Sequence, residues 1–351
     1  MRVLWLSPWL RPLARVQCEA LRAQGIEVLL VTSNQHPESA GTRGYELVLD
    51  PRPKTPATWP QFARAWRTVR SFGADVAITE LVRDPRWIML AHKLPRVQFV
   101  HDDRPHDAAE ALPGWERALF GRWHAGAAGT VAFSEYVAGA VGATDVVPLT
   151  SDVADADVPV LAGPSQRRDF VVVGRLNPYK NIDVTLAAWD RHVAGPAWRG
   201  DELVLVGDSD RDLTLPAHVR WRRGPYRYAD VLDTLAAAKG SVAHYRRASQ
   251  SGVQVLSMQL GVTPIVSDQG GLPEFQPPGE PAVGVDDVEG LAATFDALAD
   301  PDTAFERGRR AREHYARHHG ADVAASALAT VLSRVRSPAP ATARAAGRTS
   351  R

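Results

Sequence analysis

The sequence contains one cysteine, Cys18, among 351 residues. A single thiol forms no internal disulfide and builds no cysteine-based zinc cluster, which fits a reducing compartment. Lysine is nearly absent too: it stands only at 54, 93, 180 and 239, and every other basic side chain is arginine. In so arginine-rich a chain each lysine is informative. Charge of one sign is missing, because 41 basic residues face 40 acidic ones and leave a formal +1. No broad basic field therefore favours nucleic acid. No stretch approaches the roughly 20 apolar residues that span a bilayer. The N-terminal MRVLWLSPWLRPLAR is interrupted by proline and arginine before an h-region forms, so no signal peptide is expected. No G-x-G-x-x-G follows a strand, which argues against a dinucleotide-dependent dehydrogenase. Together these absences predict a cytoplasmic chain without a transmembrane segment, and leave peripheral membrane contact open.

What is present is ordinary globular composition, 45% hydrophobic and 23% charged, over a length suited to two domains. Short apolar runs alternate with amphipathic stretches. Val3–Leu6, Val28–Val31, Val76–Ile78, Val97–Val100 and Val131–Phe133 read as buried strands. Between them, 11–24, 59–72, 85–93 and 113–124 read as helices. The stripe Trp59, Phe62, Trp66, Val69 and Phe72 is expected to face the core, and Gly73 to stop its helix. The rhythm fails over 149–168, then resumes with strands at Phe170–Val173, Leu203–Val206, Val219–Arg222, Ser241–His244 and 263–267. It closes with helices at 287–299, 303–319 and 321–336. The fold class predicted is α/β, two Rossmann-like parallel-sheet domains facing across a cleft. The expected division is residues 1–148, a linker over 149–168, a second domain over 169–336, and a disordered tail over 337–351.

Two segments carry chemistry. In VVVGRLNPYKN, residues 171–181, a buried strand ends at Gly174 and a helix opens near Asn181. Arg175 and Lys180 lie between them. Two cations beside a helix N-terminus suit a diphosphate. In SQSGVQVLSMQLGVTPIVSDQGGLPE, residues 249–274, Ser249 and Ser251 are candidate N-caps, and Gly252 lets a ligand approach the backbone. A strand then runs into the loop Asp268–Glu274, which holds Gly270 and Gly271. Asp208, Asp210 and Asp212 follow another strand end and read as a solvated acidic turn, so no metal site is predicted.

These segments resemble the C-terminal half of the retaining GT-B glycosyltransferases of family 4, or group 1, type. Gly174, Arg175, Leu176, Lys180 and Asn181 match one motif of that half; Gly252, Thr263, Pro264, Gly270, Gly271, Pro273 and Glu274 match another. Leu205-Val206-Gly207-Asp208 is similar to the strand between them. In the N-terminal half, Phe99-Val100-His101-Asp102, Phe133-Ser134-Glu135-Tyr136 and Val147-Pro148 through Asp152 match more loosely. The resemblance implies transfer of a sugar from a nucleoside-diphosphate sugar to an acceptor, with retained anomeric configuration and neither metal nor organic cofactor. By the same resemblance Arg175 and Lys180 hold the leaving diphosphate and His101 contacts the donor sugar. A histidine tied to nearby polar groups is the alternative for His101. The implied donor-binding set is Gly174, Asn181, Gly207, Ser249, Ser251, Gly252, Val253, Ser257, Gly270, Gly271 and Glu274. Two departures stand out. Ser249 and Ser257 occupy the positions where the family carries two glutamates, and Ser7–Pro12 lacks its paired glycines. Ser257 is expected to face the cleft. The serine replacements are the support for an alternative function, a catalytically inactive nucleotide-sugar-binding or partner subunit.

Overall fold

The computed structural model describes residues 1–39, 41–52, 55–103 and 114–336. The tail expected over 337–351 lies outside them. The first domain contains β1 (Arg2–Ser7), α1 (Arg11–Ala23), β2 (Glu27–Thr32), β3 (Glu46–Val48), α2 (Trp59–Phe72), β4 (Val76–Glu80) and α3 (Pro85–Leu90). It continues with β5 (Arg96–Val100), α4 (Gly114–Ala125), β6 (Gly129–Ala132), α5 (Glu135–Val141) and β7 (Asp145–Val146). The seven strands pair in the order β3-β2-β1-β4-β5-β6-β7, all parallel. Continuous apolar runs such as Val3–Leu6 suit such a sheet, because helices cover both faces and every second side chain has no solvent side to turn to.

The second domain contains β8 (Phe170–Val173), α6 (Ile182–Ala194), β9 (Leu203–Val206), β10 (Val219–Arg222), α7 (Tyr228–Ala236) and β11 (Gly240–Ala243). After these come α8 (Gly252–Gln259), β12 (Thr263–Val266), α9 (Val288–Leu298), α10 (Pro301–His318) and α11 (Ala321–Arg336). Its five parallel strands run β10-β9-β8-β11-β12. In both sheets the strand order reverses beside the first strand, between β1 and β4 and between β8 and β11, the place where α/β sheets open a crevice for ligands.

Two expectations are corrected. The first concerns α11, which does not complete the second domain. Its face of Ala324, Ala325, Leu328, Val331, Leu332 and Val335 joins the core of Val3, Trp5, Ile78 and Phe99, so the chain crosses back and covers the first sheet. The second concerns α2. Its buried face is Ala65 and Val69, flanked by half-buried Phe62 and Phe72, whereas Trp59 and Trp66 are 56% and 39% exposed. At 100° per residue the two tryptophans share a line about a quarter-turn away from that face.

The linker is held by its neighbours. Thr150 pairs with the Tyr315 hydroxyl at 3.0 Å, and the Gln259 amide donates to the Val153 carbonyl and to Asp155 at 3.0 and 2.8 Å.

Candidate donor site between the two sheets

The end of β8 is shaped by glycine. Gly174 has φ +118° and Gly207, at the end of β9, has φ +131°. A Cβ on Gly207 would lie 2.2 Å from the Gly174 carbonyl oxygen, so these strand ends approach only without side chains. A short 3-10 turn, Pro178–Lys180, then turns the Lys180 side chain back over the strand end. Its Nζ donates to the Tyr245 hydroxyl at 2.7 Å and sits 4.1 Å above the Tyr245 ring centroid. Lys180 is buried, and among the described residues it forms no ion pair with a carboxylate. Burial pulls its pKa below that of an ordinary lysine and pushes the Tyr245 phenol up to about 12.

Lys180 and Tyr245 line a cavity of about 220 Å³ with Arg247, Ser251, Gly252 and Val253. Ser251 caps α8, accepting the Gln254 N–H at 3.3 Å. The first-turn N–H groups of Gly252 and Val253 have no intrahelical acceptor and carry the positive end of the helix dipole. A side chain at Gly252 would meet nothing within 4 Å, so the backbone there is open to a ligand. A buried ammonium and a free helix end thus face one cavity, an arrangement suited to an anion.

The other expected residues are distributed unevenly. Arg175 is exposed and does not line this cavity, so only one of the two expected cations sits inside it. Asn181 is buried with φ +55°; its amide donates to the Val285 carbonyl at 2.6 Å and meets His244 Nδ1 at 3.2 Å, which fixes the loop before α6. Ser257 corrects an expectation: it is fully buried and does not line the cavity. Its hydroxyl donates to the Val253 carbonyl one turn back, at 2.6 Å, the usual recourse of a buried helical serine. Ser249 reaches the first domain, donating to Asp103 Oδ1 at 2.9 Å. Gly270 and Gly271 lie against the Ala248 and Ser249 carbonyls, where a Cβ would fall 1.7 and 2.4 Å from those oxygens. The Glu274 carboxylate accepts the N–H groups of Glu135 and Tyr136, each at 2.7 Å, at the start of α5 in the first domain.

His101 follows β5 and is buried. Its Nε2 lies 2.7 Å from Glu80, whose other oxygen accepts the Trp5 indole N–H at 2.9 Å. Glu80 went unnoticed in the sequence; its position as the last residue of a strand beside the sheet's reversal was the available signal. The tyrosines of the cavity come from three distant segments, Tyr179 after β8, Tyr226 and Tyr228 just before and at the start of α7, and Tyr245 after β11, so no single local motif marks them. Asp208 and Asp212 pair with Arg223 at 3.6 and 2.6 Å. Among the described residues no group of three or more His, Cys, Asp or Glu is placed to hold a metal. Arg246 is exposed and pairs with Asp286 at 3.1 Å, whereas Arg247 lines the cavity.

This two-sheet architecture is the GT-B fold of glycosyltransferases. The sucrose-phosphate synthase of Thermosynechococcus elongatus superposes with a TM-score of 0.68 at 17% identity, covering 95% of this chain and 99% of that one. HepE of Anabaena, in complex with UDP and glucose, gives 0.63 at 14%, covering 95% and 99%. An α-glucosyltransferase in complex with UDP gives 0.68 at 12%, covering 95% and 100%. No curated protein matches the sequence. Residues 167–300 match the family model "Glycosyl transferases group 1", and residues 14–148 match "Glycosyltransferase Family 4". The two models together span most of the chain, and the protein belongs to the glycosyltransferases of this type. No helix among the described residues is long and apolar enough to cross a membrane.

Proposed function

We propose that the protein transfers a glycosyl group from a nucleoside-diphosphate sugar to an acceptor hydroxyl, with retention at the anomeric carbon and without metal or organic cofactor. One observation carries this: Lys180 is a buried ammonium whose partners are a phenol and a carbonyl, at the open end of α8. A buried charge without a counter-ion is costly, and a diphosphate supplies the missing anion. Its arrival also favours the charged form of Lys180 against the effect of burial. As the bond from sugar to phosphate breaks, negative charge grows on the leaving diphosphate. A fixed ammonium and helix N–H groups aimed there stabilise the transition state more than the ground state. Arg175, exposed after β8 and close enough for its charge to act on Tyr179 of the cavity wall, adds a second cation. His101, held by Glu80, contacts the donor sugar from the first domain. Asp103 brings a carboxylate to within 2.9 Å of Ser249, where the resembled family has a glutamate. The UDP bound to HepE and to the α-glucosyltransferase makes UDP the first nucleotide to test.

A second reading, a silent nucleotide-sugar-binding or partner subunit, is favoured by the hydroxyls of Ser249 and Ser257, both bonded to protein groups. Calorimetry with UDP, GDP and ADP, followed by hydrolysis and transfer assays with the matching UDP-, GDP- or ADP-sugars, separates the two. Binding with turnover supports catalysis, and binding without turnover supports the silent subunit. No binding by any nucleotide removes both.

A further inference from the structure

A second cavity, of about 370 Å³, adjoins the first. Its walls come from both domains and the linker: Val16 on α1, Glu38 on the loop after β2, Asp157 in the linker, Leu232 on α7. Asp152 and Tyr228 line both cavities. The Tyr228 hydroxyl donates to the Asp152 carboxylate, and the Tyr228 backbone N–H donates to Glu38 at 2.7 Å. The partition between the cavities is therefore Tyr228 of the second domain bonded to Asp152 of the linker, and Glu38 of the first domain holds Tyr228 by its backbone N–H. Its volume falls near the lower end of small-molecule sites, which begin at about 300 Å³.

The chemistry of the walls is lopsided once their own bonds are assigned. Arg15 is engaged with the buried Glu46 at 2.6 Å, and Arg43 with Glu19. Both cations of the cavity are thus committed to carboxylates. Glu38, Asp152 and Asp157 have no lysine or arginine partner among the described residues. What remains for a ligand is a set of acceptor oxygens beside the apolar Val16, Val153 and Leu232. Hydroxyl or ammonium donors suit those oxygens, and the C–H face of a sugar ring suits the apolar side chains. A phosphate would meet carboxylates of its own sign with no cation to spare.

We propose that this cavity is the acceptor subsite, and that the acceptor is a polyhydroxylated compound, neutral or cationic and without a phosphate group. This rests on the glycosyl-transfer reading above. In the transfer the bond from anomeric carbon to diphosphate oxygen breaks, the bond to an acceptor hydroxyl oxygen forms, and the hydroxyl proton leaves with the nucleoside diphosphate.

The test uses the full chain, saturated with UDP. Saturation-transfer NMR and calorimetry measure glucose, glucosamine and glucose 6-phosphate in wild type, Asp157→Lys and Leu232→Trp. Glucose and glucosamine are expected to bind, with glucose 6-phosphate at least tenfold weaker. Asp157→Lys, at an exposed position, should weaken glucosamine at least tenfold. Leu232→Trp, which fills the cavity, should abolish binding of both sugars. UDP affinity should change less than twofold in Asp157→Lys. Tighter binding of glucose 6-phosphate, no binding of either sugar, or wild-type sugar binding in both variants would overturn the proposal. Sugar binding in a protein that fails to take up UDP, GDP or ADP would instead remove the glycosyl-transfer reading and leave the cavity's ligand class standing.

Discussion

The Ser249 hydroxyl donates to Asp103 Oδ1 at 2.9 Å, joining the second domain to the first where a donor contact was expected. Glu274 does the same on a larger scale, holding two N–H groups of α5. These side chains link the two domains. Glu274→Ala is expected to loosen that link. Hydrogen exchange at Glu135 and Tyr136 should accelerate, and stability should fall by about 1 kcal/mol, the size of an anion's contribution at a helix N-terminus. Unchanged protection there would show that the link contributes nothing in solution.

Lys180→Ala should weaken UDP binding by about tenfold to a hundredfold, the loss of one charge-assisted contact of roughly 1.5–3 kcal/mol. Arg175→Ala should impair turnover with an unaltered melting temperature, because its side chain is exposed. Equal nucleotide affinity in wild type and Lys180→Ala, measured by calorimetry, would remove the anion-site assignment.

Ser257→Glu, the substitution that restores a family glutamate, is expected to cost stability. The hydroxyl sits fully buried against its own helix, so a carboxylate there loses solvation unless the helix shifts. UDP affinity raised above that of wild type, measured by calorimetry, would show that the glutamate reaches a ribose diol. Unchanged or weaker affinity for every nucleotide in a variant that still folds would place the ribose elsewhere.

Transfer activity is expected to survive chelation by EDTA, since in the proposed site Lys180 and the α8 N-terminus supply the positive charge at the diphosphate. Loss of turnover with rescue by magnesium or manganese would contradict this and draw attention back to Asp208, Asp210 and Asp212.

Stability should decline in acid through Glu46. Its buried carboxylate accepts from Arg11 at 2.7 Å and Arg15 at 2.6 Å. Burial alone would raise its pKa, but these bonds outweigh that and hold it at about 2 against an ordinary 4.5. A depressed carboxylate stabilises the fold above its unfolded pKa and loses that contribution as pH falls toward the folded value. The loss should therefore fall between about pH 4.5 and pH 2. Glu46→Gln should flatten that part of the melting-temperature profile, and an unchanged profile would remove Glu46 as its cause.

The sequence by itself determined the α/β class, the two sheets and the turn that carries Lys180. These follow from local patterns: apolar runs of strand length, helical periods closed by glycine, and a strand ending in Gly174 before two cations. Contacts between distant segments left no such pattern. Nothing local shows that Ala321–Arg336 leaves its own domain to cover the first sheet, because an apolar helix face names no partner. The 59–72 stripe likewise showed a helix but not how wide its buried face is, and Trp59 and Trp66 fall outside it. The use of Glu274 on α5, the pairing of Asp152 with Tyr228, and the inward turn of Ser257 were decided only by tertiary structure. A polar side chain bonds to whichever complementary group the packed fold brings within about 3 Å, and that neighbour is set by the whole chain.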